Sequence, residues 1–110
     1  MSNRQFSLAR LVVVGFASLM TQQALAETPT AVAKFACHDG KTIDASFYAD
    51  CVNLKLSDGR SLKLPQAMSG SGARYANKDE SLVFWNKGDT AFITEGADGK
   101  ETYSGCVVVK

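Results

Sequence analysis

Thr42-Ile43-Asp44-Ala45-Ser46-Phe47, then Val52-Asn53-Leu54-Lys55-Leu56-Ser57, an Asp58-Gly59 step and Ser61-Leu62-Lys63-Leu64 decide the fold of this chain. In each run apolar and polar side chains alternate one by one, the period of a strand with one face buried. Asp-Gly between two such runs marks a hairpin, because the tight turn needs positive φ and matches the twist of its strands. Working outward, Ala33, Phe35 and Cys37 alternate with Lys34 and Ala36 ahead of an Asp39-Gly40 turn, and Ala49-Asp50 breaks the second run. The Leu62/Leu64 run is expected to stop at Pro65, since proline cannot donate to a ladder. Downstream come Ala73 to Tyr75, a turn at Asn77-Lys78-Asp79, Leu82 to Trp85, a turn at Lys87-Gly88-Asp89, Thr90 to Thr94, Asp98-Gly99, and Thr102 to Val109. About eight short strands at this spacing predict an all-β sandwich or barrel. Tight turns between consecutive strands favour an up-and-down antiparallel sheet, which can close into an eight-stranded antiparallel β-barrel filled by its own side chains. Closure would also hide the edges that a small sheet exposes. The expected core is Val52, Leu54, Leu56, Leu62, Leu64, Val83, Trp85, Ile93 and Val107.

Residues 1–26 have a different character. Arg4 and Arg10 precede the apolar stretch Leu11 to Met20, and Ala24-Leu25-Ala26 follows. A basic start, an apolar run of about ten residues and an A-x-A site predict a cleavable secretory signal peptide. The run is short of the roughly 20 residues that cross a bilayer. Cleavage after Ala26 puts Glu27 where a lipoprotein would carry its cysteine, so a soluble exported product with no membrane anchor is expected. Residues 27–110 then form a single small domain. Loss of Arg4 and Arg10 leaves ten basic against eleven acidic side chains. A near-neutral domain without a basic block lacks the electrostatic footprint of a nucleic-acid binder.

Three cysteines, Cys37, Cys51 and Cys106, lie in that domain. An odd number in an oxidising compartment leaves one intramolecular pair and one thiol, or an intermolecular link. Cys37–Cys106 is the favoured pair, because it closes nearly the whole domain; Cys37–Cys51 competes if the two sit on neighbouring strands. Cys51 is then free or forms a dimer, so a monomer and a homodimer both remain open. With one histidine, His38, beside the Asp39-Gly40 turn, and no Cys-x-x-Cys spacing, no metal site or other cofactor is expected.

Two stretches stand apart from the strand pattern. Ser69-Gly70-Ser71-Gly72-Ala73-Arg74-Tyr75 opens on two Gly-Ser steps, poor strand material that reads as an exposed loop entering a strand at Arg74-Tyr75. Phe84-Trp85-Asn86-Lys87-Gly88-Asp89 is a strand end stopping at a turn. If both loops leave the same edge of the sheet, the Ser71 hydroxyl stands beside the Lys87 ammonium, a hydrogen-bonding probe of positive charge suited to an acidic cleft. Catalysis is not expected. A nucleophile needs a neighbouring base; the lone histidine lies in the first turn, and no helix follows Gly70-Ser71-Gly72 to build a nucleophile elbow. A lysine on an exposed turn also lacks the burial that would make it a base for Ser71. Arg74 reads as an outward strand charge. A small exported barrel that binds an apolar ligand in its mouth is the alternative reading.

Taken together, Ser69 to Tyr75 and Val83-Phe84-Trp85-Asn86-Lys87-Gly88-Asp89 closely resemble the bacterial inhibitors of c-type lysozyme, the MliC/PliC family, and Phe35-Ala36-Cys37 and Gly105-Cys106 are similar too. The resemblance covers essentially residues 27–110. It implies an eight-stranded antiparallel barrel, a disulfide between Cys37 and Cys106, and inhibition of c-type lysozyme by insertion of a loop into its active-site cleft. It assigns the family's functional serine to Ser71 and its functional lysine to Lys87, and Ser69, Gly70, Gly72 and Gly88 of the same two loops are expected to be partner-binding with them. Cys51 has no family role, and Ala76 to Leu82 is longer than the family pattern. The leader without a lipoprotein cysteine is similar to the periplasmic branch of the family and not the membrane-anchored one.

Overall fold

A computed structural model describes residues 28–110; the leader assignment and Glu27 lie outside the described residues. Eight strands follow in chain order: β1 (Ala31–Ala36), β2 (Thr42–Phe47), β3 (Cys51–Leu56), β4 (Ser61–Ala67), β5 (Ala73–Ala76), β6 (Leu82–Lys87), β7 (Thr90–Glu95) and β8 (Lys100–Val108). Each pairs antiparallel with its sequence neighbour, and β8 returns to β1 through Phe35 opposite Val108 and Ala36 opposite Val107. The sheet is therefore a closed eight-stranded barrel. A single 3₁₀ turn, His38–Gly40, joins β1 to β2.

The alternating runs do what their period demands. Ile43 and Ala45 on β2, and Val52, Leu54 and Leu56 on β3, point inward and are buried, while Asp44, Asn53 and Lys55 face water. Phe35, Leu64, Tyr75, Leu82, Phe84, Ile93 and Tyr103 complete the interior. Four aromatic rings fill its centre: Phe47, Tyr75 and Phe84 lie mutually within 6.0 to 6.3 Å, and Phe35 meets Phe84 edge-on at 6.2 Å. Burying a side chain of this size contributes about 1.5–3 kcal/mol, so these residues carry most of the fold. An interior so occupied gives no support to an apolar ligand held in the mouth.

Three expectations need correction. Trp85 and Val107 are not core residues. On β6 the inward phase belongs to Leu82 and Phe84, so Trp85 faces outward, pairing with Arg74 on β5 and Phe92 on β7. Val107 is 52% exposed because β8 carries an extra residue opposite β7: Ala91 meets Cys106 while Ile93 meets Tyr103. That bulge contains Gly105 at φ 61°, and it moves the inward phase from Tyr103 to Cys106. The His38 ring packs where a Cβ at Gly105 would lie. Finally, β4 does not stop at Pro65 but runs on to Ala67. Gln66 N–H donates to Asp50 O on the β3 side, which directs the Pro65 nitrogen toward β5, whose pairing begins only at Gln66. The proline's missing N–H therefore breaks no ladder bond. Val83 is buried but lies outside the inner cluster, and Leu62 packs at its margin.

Cys37 and Cys106 are disulfide-bonded, joining the end of β1 to β8 across 69 residues of sequence. Cys51 is a free, buried thiol.

Candidate functional site

The connections alternate between the two ends of the barrel. The loop after β4, containing Met68 to Gly72, and the turn after β6, Gly88-Asp89, emerge at the same end, as the antiparallel order requires. The structure thus brings together the two stretches that the sequence sets apart.

Lys87 is the last residue of β6 and pairs with Thr90, the first of β7, so the turn contains only Gly88 and Asp89. Side chains lock it from both sides. Asn86 Nδ2 donates to Gly88 O at 3.1 Å and to Thr90 O at 3.0 Å, and the Thr90 hydroxyl donates to Lys87 O at 2.9 Å. These bonds satisfy carbonyls that a bare turn would leave to solvent. The Lys87 backbone is fixed while its side chain stays exposed.

The other loop is held by Ser69. Its hydroxyl donates to Ser71 O at 2.6 Å and accepts from Ser71 N–H at 3.3 Å, a closed side-chain turn that takes Ser69 out of solvent duty. Gly70 and Ser71 stand exposed at the tip. Gly72, at φ 69°, then carries the chain directly over β6: a Cβ built there would lie 2.6 Å from Lys87 Cγ and 2.8 Å from Asn86 O. Only a residue without a side chain fits this approach. The Lys87 stem therefore lies against the backbone of the serine loop, one residue from Ser71.

Beneath the ammonium sits Trp85. Lys87 Nζ lies 5.7 Å from the centre of its ring and the Arg74 guanidinium 5.5 Å, with Phe92 stacked on it at 5.9 Å. The ring quadrupole attracts both cations. Arg74 is further engaged, donating to Glu80 at 2.6 Å and to Met68 O at 3.5 Å, which ties the start of the serine loop to β5. It is an outward strand charge, as the sequence suggests, with a tethering role that the sequence does not reveal. Among the described residues, Lys87 Nζ has no acidic partner and Ser71 Oγ makes no hydrogen bond. Two exposed polar residues on adjoining loops thus keep their side-chain bonding capacity unused.

The far end is built differently. Arg60 forks onto Glu95 at 2.8 and 3.0 Å and also reaches Asp58 at 2.9 Å, while Thr102 donates to the same Glu95. The Arg60 bonds hold the Glu95 carboxyl below the usual carboxylate range against the opposing effect of burial, with Thr102 assisting. Lys41 donates to Thr102 O at 2.6 Å and lies over the Tyr103 ring. Here the charges satisfy one another across the mouth, which ties the β3–β4 turn to β7 and β8.

Barrel, bridging cystine and paired loops define a small disulfide-stapled β-barrel that offers its polar groups on protrusions. The family model described as membrane-bound lysozyme-inhibitor of c-type lysozyme, MliC, matches residues 35–102, and the chain belongs to that family. The match includes both loops and Cys37 and ends ahead of Cys106. Over 44 residues the chain is 50% identical to a protein of Yersinia enterocolitica called membrane-bound lysozyme inhibitor of C-type lysozyme. That similarity covers 40% of this chain and 35% of the relative, so the chain spans about a third of the length of the curated relative it matches. No solved structure matches the chain.

Proposed function

We propose that this protein inhibits c-type lysozyme by placing the Ser71 loop and the Lys87 turn in the enzyme's active-site cleft. The observation that supports this reading is the close approach of Gly72 to Lys87, which sets the loop that carries Ser71 against the Lys87 stem at one end of the barrel. A glycosidase of the lysozyme type holds two carboxyl groups about the scissile bond, one kept protonated as the acid and one ionised. Lys87 Nζ donates to the ionised group, and the Ser71 hydroxyl can donate or accept beside the other. Filling the cleft excludes both sugar and water. Hydrogen bonds to charged groups contribute about 1.5–3 kcal/mol each. A loop already ordered by Ser69 and Gly72 avoids the entropy of ordering on binding.

In this reading the protein is a stoichiometric plug and not an enzyme, and it needs no cofactor. Its partner is c-type lysozyme. The leader of residues 1–26 directs it to the periplasm, where it shields the wall from muramidases, including those of host defence. Family membership supports the target, and the leader's Arg4, Arg10 and Ala24-Leu25-Ala26 support the export. Adding the purified 27–110 domain to c-, g- and i-type lysozymes in a cell-wall lysis assay tests the reading. Loss of lysis with the c-type enzyme supports it; unimpeded lysis by a panel of c-type enzymes overturns it.

A further inference from the structure

Met68 is the sole methionine of residues 28–110, and it is 93% exposed. A single exposed apolar side chain is ordinary in itself; this one is distinguished by its place, immediately before the Ser69 turn in the loop that approaches Lys87. Its carbonyl accepts from Arg74, and Ser69 closes the next step of the loop, so its backbone is tethered while its side chain projects into water. At the same end of the barrel Lys87 and Ser71 supply charge and hydrogen bonding but no apolar contact.

We propose that Met68 is the apolar contact of the same interface, lying against aromatic or aliphatic side chains at the lip of the target's sugar-binding cleft. The inference rests on the lysozyme reading above and deepens it. A polarisable, unbranched thioether suits such a site, because it adapts its rotamers to the surface it meets and makes favourable contact with ring edges. A consequence follows from sulfur chemistry. A peroxide or hypochlorous acid transfers one oxygen to the thioether, the S–O bond forming as the O–O or O–Cl bond breaks. The sulfur loses two electrons, and water or chloride carries them away. The resulting sulfoxide is polar and chiral, and it weakens the contact until a sulfoxide reductase restores the thioether.

The test measures the inhibition constant against c-type lysozyme for four samples. These are wild type, wild type treated with hydrogen peroxide until mass spectrometry shows one added oxygen on the Met68 peptide, Met68→Leu, and Met68→Leu after the same treatment. Oxidised wild type is expected to inhibit about tenfold or more weakly, the loss of one well-buried apolar side chain. Met68→Leu, compared with itself before and after treatment, is expected to be indifferent to peroxide. Equal inhibition by native and oxidised wild type overturns the proposal, as does an equal loss in peroxide-treated Met68→Leu. If untreated wild type fails to inhibit, the lysozyme reading itself has failed, and the two failures are thereby told apart.

Discussion

Gly72 passes so near Lys87 that a Cβ on the glycine would fall 2.6 Å from the lysine Cγ and force a shift. This contact converts two separate turns into one surface. Gly72→Ala would both strain a backbone at φ 69° and push against Lys87 and the Asn86 carbonyl. The left-handed conformation alone costs a non-glycine residue about 1–3 kcal/mol. The variant is expected to melt a few degrees lower and to inhibit more weakly than that modest loss of stability explains. Gly70→Ala, with nothing near its added methyl, is the control and should change neither property.

Trp85 supports Lys87 from below. Trp85→Ala removes the ring under both cations and the stack on Phe92. A cation–π contact at an exposed site contributes about 0.5–1 kcal/mol, so inhibition is expected to weaken by about two- to fivefold. Trp85→Phe keeps a ring there and should recover part of the loss. An alanine variant that binds like wild type would show that Lys87 needs no platform.

How far this surface was legible in the sequence depends on the residue. Alternation in the runs between Ile43 and Leu64, with the turn signals and shorter runs on either side, was enough for strand number and order, because period and turn chemistry are local. Ser71 and Lys87 were legible as exposed loop residues, whereas their contact through Gly72 depends on the β5–β6 register, which no local pattern states. Trp85 was misread because Leu82-Val83-Phe84-Trp85 is apolar throughout and cannot be phased by alternation. Val107 was misread because the β8 bulge shifts the phase by one residue; Gly105 was the available signal. The bonds of Ser69, Asn86 and Arg74 join residues close in sequence, but which side chains close them depends on turn conformations that alternation does not state.

The disulfide should matter to stability more than to the site, which it does not touch. In the chain-entropy model, a loop of 69 residues contributes about 4 kcal/mol. Cys37→Ser/Cys106→Ser is expected to lower the denaturant midpoint accordingly, while folded protein retains inhibition. Cys51, 7% exposed, should react with a thiol reagent only after denaturation. A reducible dimer on gels, or rapid native labelling, would contradict that placement and revive a Cys51-linked dimer.

Acid should loosen the far end of the barrel first. The Glu95 carboxyl is held below its ordinary value of 4.5, chiefly by its bonds from Arg60. A carboxyl depressed in the folded state stabilises the fold fully above its unfolded value and loses that contribution as pH falls through the folded one. Thermal stability is therefore expected to be level from neutrality down to about pH 5 and to decline below about 4.5. Glu95→Gln should be less stable at neutral pH and show a shallower acid decline. An identical acid profile in the two proteins would remove Glu95 as the cause.

The most direct test of the central claim is the inhibition constant of Ser71→Ala/Lys87→Ala against a c-type lysozyme, measured beside wild type with melting curves on both. Removing one partner of a desolvated charged pair costs about 2–5 kcal/mol. The double variant is therefore expected to melt like wild type and to inhibit about a hundredfold or more weakly, with Lys87→Ala alone accounting for the larger share. Undiminished inhibition by a folded double variant would contradict the account.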